Sequence, residues 1–108
     1  LVAEERGGLI GCGATRRMPG EPETADQRYG EIKRMFVHPA ARGRRVAQRL
    51  LVQLEERLKA DGVSLSLLET GRDQFQAVRL YERSGYALRG AFGGYPDNGL
   101  SLFYEKRL

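Results

Sequence analysis

Three arginines and a glycine in the run Arg42-Gly43-Arg44-Arg45 lie between two segments with different hydrophobic patterns. The residues before this run alternate as in a β-strand that Pro39 ends, and the residues from Val46 onward have the spacing of an amphipathic helix. Loop N–H groups and the positive end of the helix dipole would converge there, and arginine adds forked donors that suit phosphate. Because a helix N-terminus disfavours uncompensated positive charge, we interpret the run as a phosphate site rather than a solvated surface.

Two common phosphate-binding motifs do not fit this sequence. It contains no G-x-x-x-x-G-K-[ST] run, which excludes the usual nucleoside triphosphate loop. The stretch Gly11-Cys12-Gly13 begins a dinucleotide fingerprint, but Arg16 occupies the position of its third glycine. The phosphate site is therefore of another kind.

The composition is that of a globular protein without a metal or a membrane segment. The chain has 108 residues, of which 41% are hydrophobic and 30% charged, so we expect one domain spanning residues 1–108. No apolar run approaches the ~20 residues of a membrane span, and no signal peptide opens the chain. One cysteine, Cys12, and one histidine, His38, argue against a zinc site and a disulfide framework. We therefore expect a cytoplasmic protein with no metal and no membrane partner.

The charge is compatible with an anionic ligand but does not indicate nucleic acid. The net charge is +4, and the arginine cluster at 42–45 lacks interleaved aromatic residues and a second basic tract. We therefore expect no nucleic-acid partner. Because the sequence begins with Leu1 in a strand-like segment, we also expect the native protein to have residues before it.

Hydrophobic periodicity predicts an α/β (α+β) fold with the order β-β-β-α-β-α-β-β. Strands are predicted at 1–4, 9–17, 31–37, 63–70, 86–92 and 100–107, with helices over 46–60 and from an N-cap at Asp73 to Arg83. The unit over 31–70 should form a parallel strand–helix–strand crossover. The arginine loop then lies at the carboxyl end of a parallel strand, where open α/β sheets bind ligands.

Two motifs in this order resemble the GNAT N-acetyltransferase superfamily. The run Arg42-Gly43-Arg44-Arg45-Val46-Ala47 resembles its motif A, [Q/R]-x-x-G-x-[G/A], with Arg45 in place of the central glycine. The segment from Gln74 to Tyr86 resembles N-x-x-A-x-x-L-Y-x-x-x-G-[F/Y], with Gln74 in place of asparagine. We expect Arg45 to have ordinary backbone angles and to leave less room for phosphate. The resemblance covers residues 1–108 but lacks the first strand and first two helices of the family.

The resemblance implies a fold and a reaction. The fold would be a GNAT-type mixed, mostly antiparallel twisted sheet around the central parallel unit. The reaction would be direct transfer of an acetyl group from acetyl-CoA, the cosubstrate, to a primary amine of a small molecule or peptide in a ternary complex. Tyr81 falls at the general-acid position of the family, and an ordinary phenol is protonated at neutral pH. Glu31 is the candidate base, acting through water; the equal alternative is an exposed carboxylate at a strand end.

The same resemblance assigns the binding of acetyl-CoA. The main chain of Met35, Phe36 and Val37 would bond the pantetheine arm, with the Val37 N–H facing the thioester oxygen. The pyrophosphate would be wrapped by Arg42, Gly43, Arg44, Arg45, Val46 and Ala47. Gln74 offers the same amide groups as the asparagine of the family on a longer arm.

Several alternatives stay open from the sequence. The departures at Arg45 and Gln74 are compatible with a catalytically silent domain that binds CoA or acyl-CoA. The acceptor would be shaped by residues before Leu1, by the loop at 18–30 and by the last hairpin, and Arg34, Arg72 or Tyr95 could face it. Apolar surface left by missing N-terminal elements makes a homodimer possible.

Overall fold

The computed structural model describes residues 2–5, 8–43 and 45–108. In these residues the chain forms six strands and two α-helices, which are β1 (Val2–Glu5), β2 (Gly8–Met18), β3 (Tyr29–Val37), α1 (Val46–Ala60), β4 (Leu65–Gly71), α2 (Phe75–Arg83), β5 (Ala87–Arg89) and β6 (Ser101–Arg107). The predicted order is confirmed, and α1 has the bounds that its apolar periodicity predicts. Within the described ranges, neither helix is long and apolar enough to cross a membrane.

The strands form one sheet in the order β1-β2-β3-β4-β6-β5. All neighbours are antiparallel except β3 and β4, which are parallel because α1 carries the chain from the end of one to the start of the other. The predicted fold, a mostly antiparallel sheet around a central parallel strand–helix–strand unit, is confirmed.

The two faces of the sheet carry separate cores, because side chains alternate along each strand. On the first face, Ile32, Leu68 and Tyr104 pack against the buried sides of α1 and α2. Gly30 lets α1 approach closely, since a Cβ there would lie 2.3 Å from the Cδ2 atom of Leu58. On the second face, aromatic and aliphatic side chains pack together, namely Tyr29, Leu65, Leu67, Phe92 and Phe103.

Several predicted boundaries differ from the structure, and the four that follow differ for a local reason. β4 begins at Leu65 rather than at 63, because the Val63 N–H bonds back to the Leu58 carbonyl at 2.9 Å at the end of α1. The N-cap of α2 is Gln74 and not Asp73, because the Gln74 N–H bonds to the Gly71 carbonyl at 3.0 Å in a turn before the helix. β5 ends at Arg89 rather than at 92, because Phe92 leaves the strand and packs into the second-face core. β3 begins at Tyr29 rather than Glu31, so Glu31 lies inside the strand.

Candidate active site

The parallel strands β3 and β4 separate part of the way along their length. They pair at Gly30–Ser66, Glu31–Leu67 and Ile32–Leu68, after which β3 continues to Val37 beside β2 alone. Arg34 takes a positive φ of 57° where the β2–β3 register shifts. Among the described residues, the N–H and C=O groups of β3 beyond Ile32 that point away from β2 therefore have no strand partner.

The separation opens a cleft of about 350 Å³ between the two strands. Its lining residues come from β3, β4, α2 and the loop after β5, and they are Glu31, Ile32, Lys33, Arg34, Met35, Glu69, Thr70, Gly71, Gln74, Ala77, Tyr81 and Tyr95. The cleft thus brings together Glu31, Met35, Gln74 and Tyr81, which the sequence singles out. Phe36 and Val37 are the next residues of β3 and lie outside this lining.

Tyr81 is a buried residue of α2 whose hydroxyl group is open to the cleft. The residue is 6% exposed, and its ring packs against those of Tyr86 and Tyr104 at centroid distances of 5.9 and 6.4 Å. Its hydroxyl has no hydrogen-bond partner among the described residues. Every fully buried side-chain polar atom in these residues does have a partner, so the Tyr81 oxygen is not fully buried and is accessible. Burial, and then the charge of Glu69, raise the pKa of Tyr81, which keeps it a proton donor at neutral pH.

Glu31 lies on the opposite face of the sheet and is 3% exposed, so it is not the exposed strand-end carboxylate of the alternative hypothesis. Tyr95 donates its hydroxyl proton to Oε2 of Glu31 at 2.5 Å, and the Lys33 Nζ lies 3.9 Å from the same oxygen. Oε1 has no partner in the described part of the chain, so by the same argument it is accessible to solvent. A carboxylate held by one oxygen and free at the other is suited to accept a proton.

Glu69 is a cleft residue for which the sequence made no prediction, and the sequence left the direction of Tyr95 open. The Ser101 Oγ donates to Oε2 of Glu69 at 2.6 Å. Side chains two positions apart on a strand point to the same face, and Leu67 lies in the second-face core. The position of Glu69 on the second face could therefore have been predicted from the sequence. Tyr95 reaches the cleft from the loop between β5 and β6, and a loop has no hydrophobic periodicity from which its course could be predicted.

The arginine loop has backbone angles that differ from the prediction. Gly43 has a φ of +84°, and Arg45 has a φ of 59° and a ψ of 24°, so both are left-handed. The expectation of ordinary angles at Arg45 is wrong, because the chain must turn sharply to start α1 there. Arg42 is exposed at the end of the 3-10 turn Pro39–Ala41. Arg44 lies outside the described residues.

The first turn of α1 offers amide groups rather than side chains. Val46 is buried and Ala47 half-buried, so the N–H groups at 46–48 are what the helix end presents. No acidic residue lies in this turn, and the Arg45 side chain makes no capping bond. Val46 packs with Ala41 and Leu50 against Met35 and Val37, which joins the loop to the open end of β3.

A second hollow of about 550 Å³ lies along the outer side of α1. Arginine, glutamine and valine line it, namely Arg45, Gln48, Arg49, Val52 and Gln53. None of these is a carboxylate, a histidine or a phenol. Although this hollow is larger, Tyr81 and Glu31 line the cleft instead.

This chain is similar in sequence and fold to several acetyltransferases. The acetyltransferase (GNAT) family model matches residues 1–86. An IAA acetyltransferase from Azospirillum brasilense is 45% identical over 108 residues, covering 100% of this chain and 67% of the relative. A solved Klebsiella pneumoniae protein assigned to the acyl-CoA N-acyltransferases has a TM-score of 0.83 and 36% identity, over 97% of this chain and 68% of its own.

The fold is shared more widely than the sequence. The PaiA N-acetyltransferase from Thermoplasma acidophilum, solved in complex with coenzyme A, has a TM-score of 0.80 at 18% identity. The match covers 99% of this chain and 58% of that protein. The sequence matches assign the family, and this one shows the fold alone. The chain therefore belongs to the acetyltransferase (GNAT) family and is an acyltransferase.

Proposed function

We propose that this chain moves an acetyl group directly from acetyl-CoA to a primary amine of a small molecule or peptide, in a ternary complex. One observation carries the proposal. Tyr81 from the first face and Glu31 from the second both line the cleft that opens beyond Ile32 and Leu68. A proton donor and a proton acceptor on opposite sides of one opening suit a reaction in which thiol and amine arrive from opposite faces.

The residues present fit acetyl-CoA. The N–H groups at the start of α1, together with Arg42 and Arg45, form a positive end with no acidic residue in its first turn. We assign the pyrophosphate to this end. The open edge of β3 over Met35, Phe36 and Val37 offers main-chain groups to the amides of the pantetheine arm, as an added strand would use them. In this arrangement the Val37 N–H faces the thioester oxygen, and Gln74 borders the cleft on the side of α2.

The transfer balances with these groups. Glu31 takes one proton from the ammonium form of the acceptor, directly or through a water molecule, which frees the nitrogen lone pair. The nitrogen attacks the thioester carbon, the C–S bond breaks, and Tyr81 donates its proton to the departing sulfur. The nitrogen gives up a second proton, which restores Tyr81 through solvent, and the proton on Glu31 leaves as the net proton released.

Calorimetric titration with acetyl-CoA tests the binding half of this proposal. We expect one site per chain at micromolar concentrations of ligand and weaker binding at high salt, because the phosphate contacts are ionic. No heat of binding at these concentrations would contradict the proposal. Binding without acetyl transfer to any amine would instead support the alternative of a catalytically silent acyl-CoA-binding domain.

A homodimer is a separate prediction that the cleft does not require. Sedimentation equilibrium over a range of protein concentrations tests it directly. A mass that stays at that of one chain would contradict it.

A further inference from the structure

We infer that Tyr95 is a positioning residue for the transfer, holding the Glu31 carboxylate where the acceptor amine gives up its proton; this rests on the proposed function. The hydroxyl of Tyr95 donates to Oε2 of Glu31 at 2.5 Å, across 64 positions of sequence. Both residues line the cleft. A direct bond between two lining residues from distant segments fixes the geometry of the opening.

The bond leaves the reactive side of Glu31 free. Tyr95 and Lys33 both contact Oε2, and Oε1 is open to solvent although the residue is 3% exposed. Because Glu31 lines the cleft, we take the cleft as the route to Oε1. Without Tyr95 the Glu31 carboxylate could rotate. The bond from Tyr95 fixes it, so that only Oε1 is presented to the acceptor.

The ring of Tyr95 is held independently of its hydroxyl. It packs edge-on against Phe92 at 5.7 Å and tilted against Phe103 at 6.1 Å, in the second-face core. Removing the oxygen alone should therefore leave the ring and its loop in place. This makes Tyr95→Phe a clean test of the hydroxyl.

The same segment of chain holds neighbouring acidic side chains. The Gly93 N–H donates to Glu21 Oε1, and the Ser101 Oγ donates to Glu69. The bonds of Gly93 and Tyr95 tie the connection between β5 and β6 to the loop before β3 and to β3. The bond of Ser101 ties the start of β6 to β4. The connection thus closes the second face of the sheet beside the cleft and carries Tyr95 to Glu31.

A matched pair of variants tests the inference. Tyr29→Phe also removes a hydroxyl that donates to a glutamate, here Glu21 Oε2 at 3.0 Å, from the same aromatic core, but Tyr29 does not line the cleft. We expect Tyr95→Phe to lower kcat/KM for the amine at least about tenfold, mainly in kcat, because misplacement of a reacting group is costly. Affinity for acetyl-CoA should not change, and Tyr29→Phe should alter kcat/KM much less.

A double-mutant cycle separates positioning from a structural role. If Tyr95 acts through Glu31, adding Tyr95→Phe to Glu31→Gln should lower the rate little further. Effects that multiply, or an equal loss in Tyr29→Phe, would overturn the inference while leaving the transfer itself established. A wild-type protein that acetylates no amine would overturn the proposed function, and this inference with it.

Discussion

Ile32 and Leu68 are the last partners of the parallel pair between β3 and β4, and their side chains lie in the first-face core beneath both helices. Below them the sheet is continuous, and beyond them β3 has only β2 as a neighbour. The well-packed pair therefore forms the closed end of the cleft. β3 holds Glu31, and α2, which packs on the first face of the sheet, holds Tyr81. Both side chains therefore come from regular elements, which would keep the proposed reacting groups aligned.

Replacing Tyr81 with phenylalanine should slow the reaction without weakening binding. The hydroxyl is open to the cleft, whereas the ring makes the packing contacts with Tyr86 and Tyr104, which phenylalanine keeps. We expect kcat to fall about 10²-fold, the lower end for loss of a general acid, with unchanged calorimetric affinity for acetyl-CoA. An unchanged kcat would remove Tyr81 as the acid.

Replacing Arg42 with alanine should weaken the binding of acetyl-CoA. Arg42 is exposed beside the start of α1, where it would contact phosphate. We expect a loss of about 1–3 kcal/mol in binding free energy, the range for a hydrogen bond to a charged group. Arg57→Ala, an exposed arginine in the last turn of the same helix, is the control and should bind as the wild type does. Equal affinity in all three proteins would refute the phosphate role.

Much of the fold follows from sequence because its signals are local. The apolar stripe from Val46 to Leu58 predicts the bounds of α1, and the glycines at 62 and 85 come directly after helix ends. β5 was predicted too long because an apolar residue such as Phe92 is compatible with a strand as well as with a loop that packs into the core. Only the three-dimensional packing of Tyr29, Phe92 and Phe103 decides that it leaves the strand.

Residues of the candidate site could be named from the sequence where a motif fixes their spacing, but not where a loop crosses the sheet. Motif positions led to Tyr81, Gln74 and the arginine loop. The contact between Tyr95 and Glu31 joins residues 64 positions apart, so no local pattern encodes it. The left-handed angle of Arg45 was missed because an arginine gives no sign of it, whereas a glycine would have.

Replacing Arg45 with glycine should stabilise the fold slightly. A left-handed non-glycine residue costs about 1–2 kcal/mol of strain, which glycine would relieve. Glycine also makes the unfolded chain more flexible, and this offsets part of the relief. We expect the free energy of unfolding in urea to rise by about 0.5–1 kcal/mol.

Gly43→Ala is the matched control for Arg45→Gly. It should destabilise the fold by about 1 kcal/mol or more through its backbone angle alone. Its φ is +84°, and apart from its neighbours in sequence no described residue has an atom within 4 Å of the added Cβ. A loss of stability in Arg45→Gly would contradict the backbone angles described here.

Alkaline pH should destabilise the protein through its tyrosines. Burial is the main cause that raises the pKa of all five, Tyr29, Tyr81, Tyr86, Tyr95 and Tyr104, above the ordinary value of about 10. The unfolded chain then releases phenolic protons before the folded chain does. The stabilisation is complete below pH ~10 and is lost as the pH rises towards the folded pKa values, by up to about 1.4 kcal/mol per pH unit for each tyrosine.

Urea unfolding at a series of pH values, followed together with phenolate absorbance, measures this loss. Folded protein should show little phenolate at pH ~10, where free tyrosine is half ionised. Phenolate absorbance of the folded protein that matches free tyrosine would contradict the raised pKa values of these side chains.

The central claim is that acetyl transfer occurs at the cleft between β3 and β4. The most direct measurement is amine-dependent release of free thiol from acetyl-CoA, with mass spectrometry of the acetylated product, across a library of primary amines. We predict thiol release in step with an N-acetylated product for at least one amine, and a strong loss of both in Tyr81→Phe. Bound acetyl-CoA with no amine-dependent thiol release, or release equally fast in Tyr81→Phe, would contradict the account.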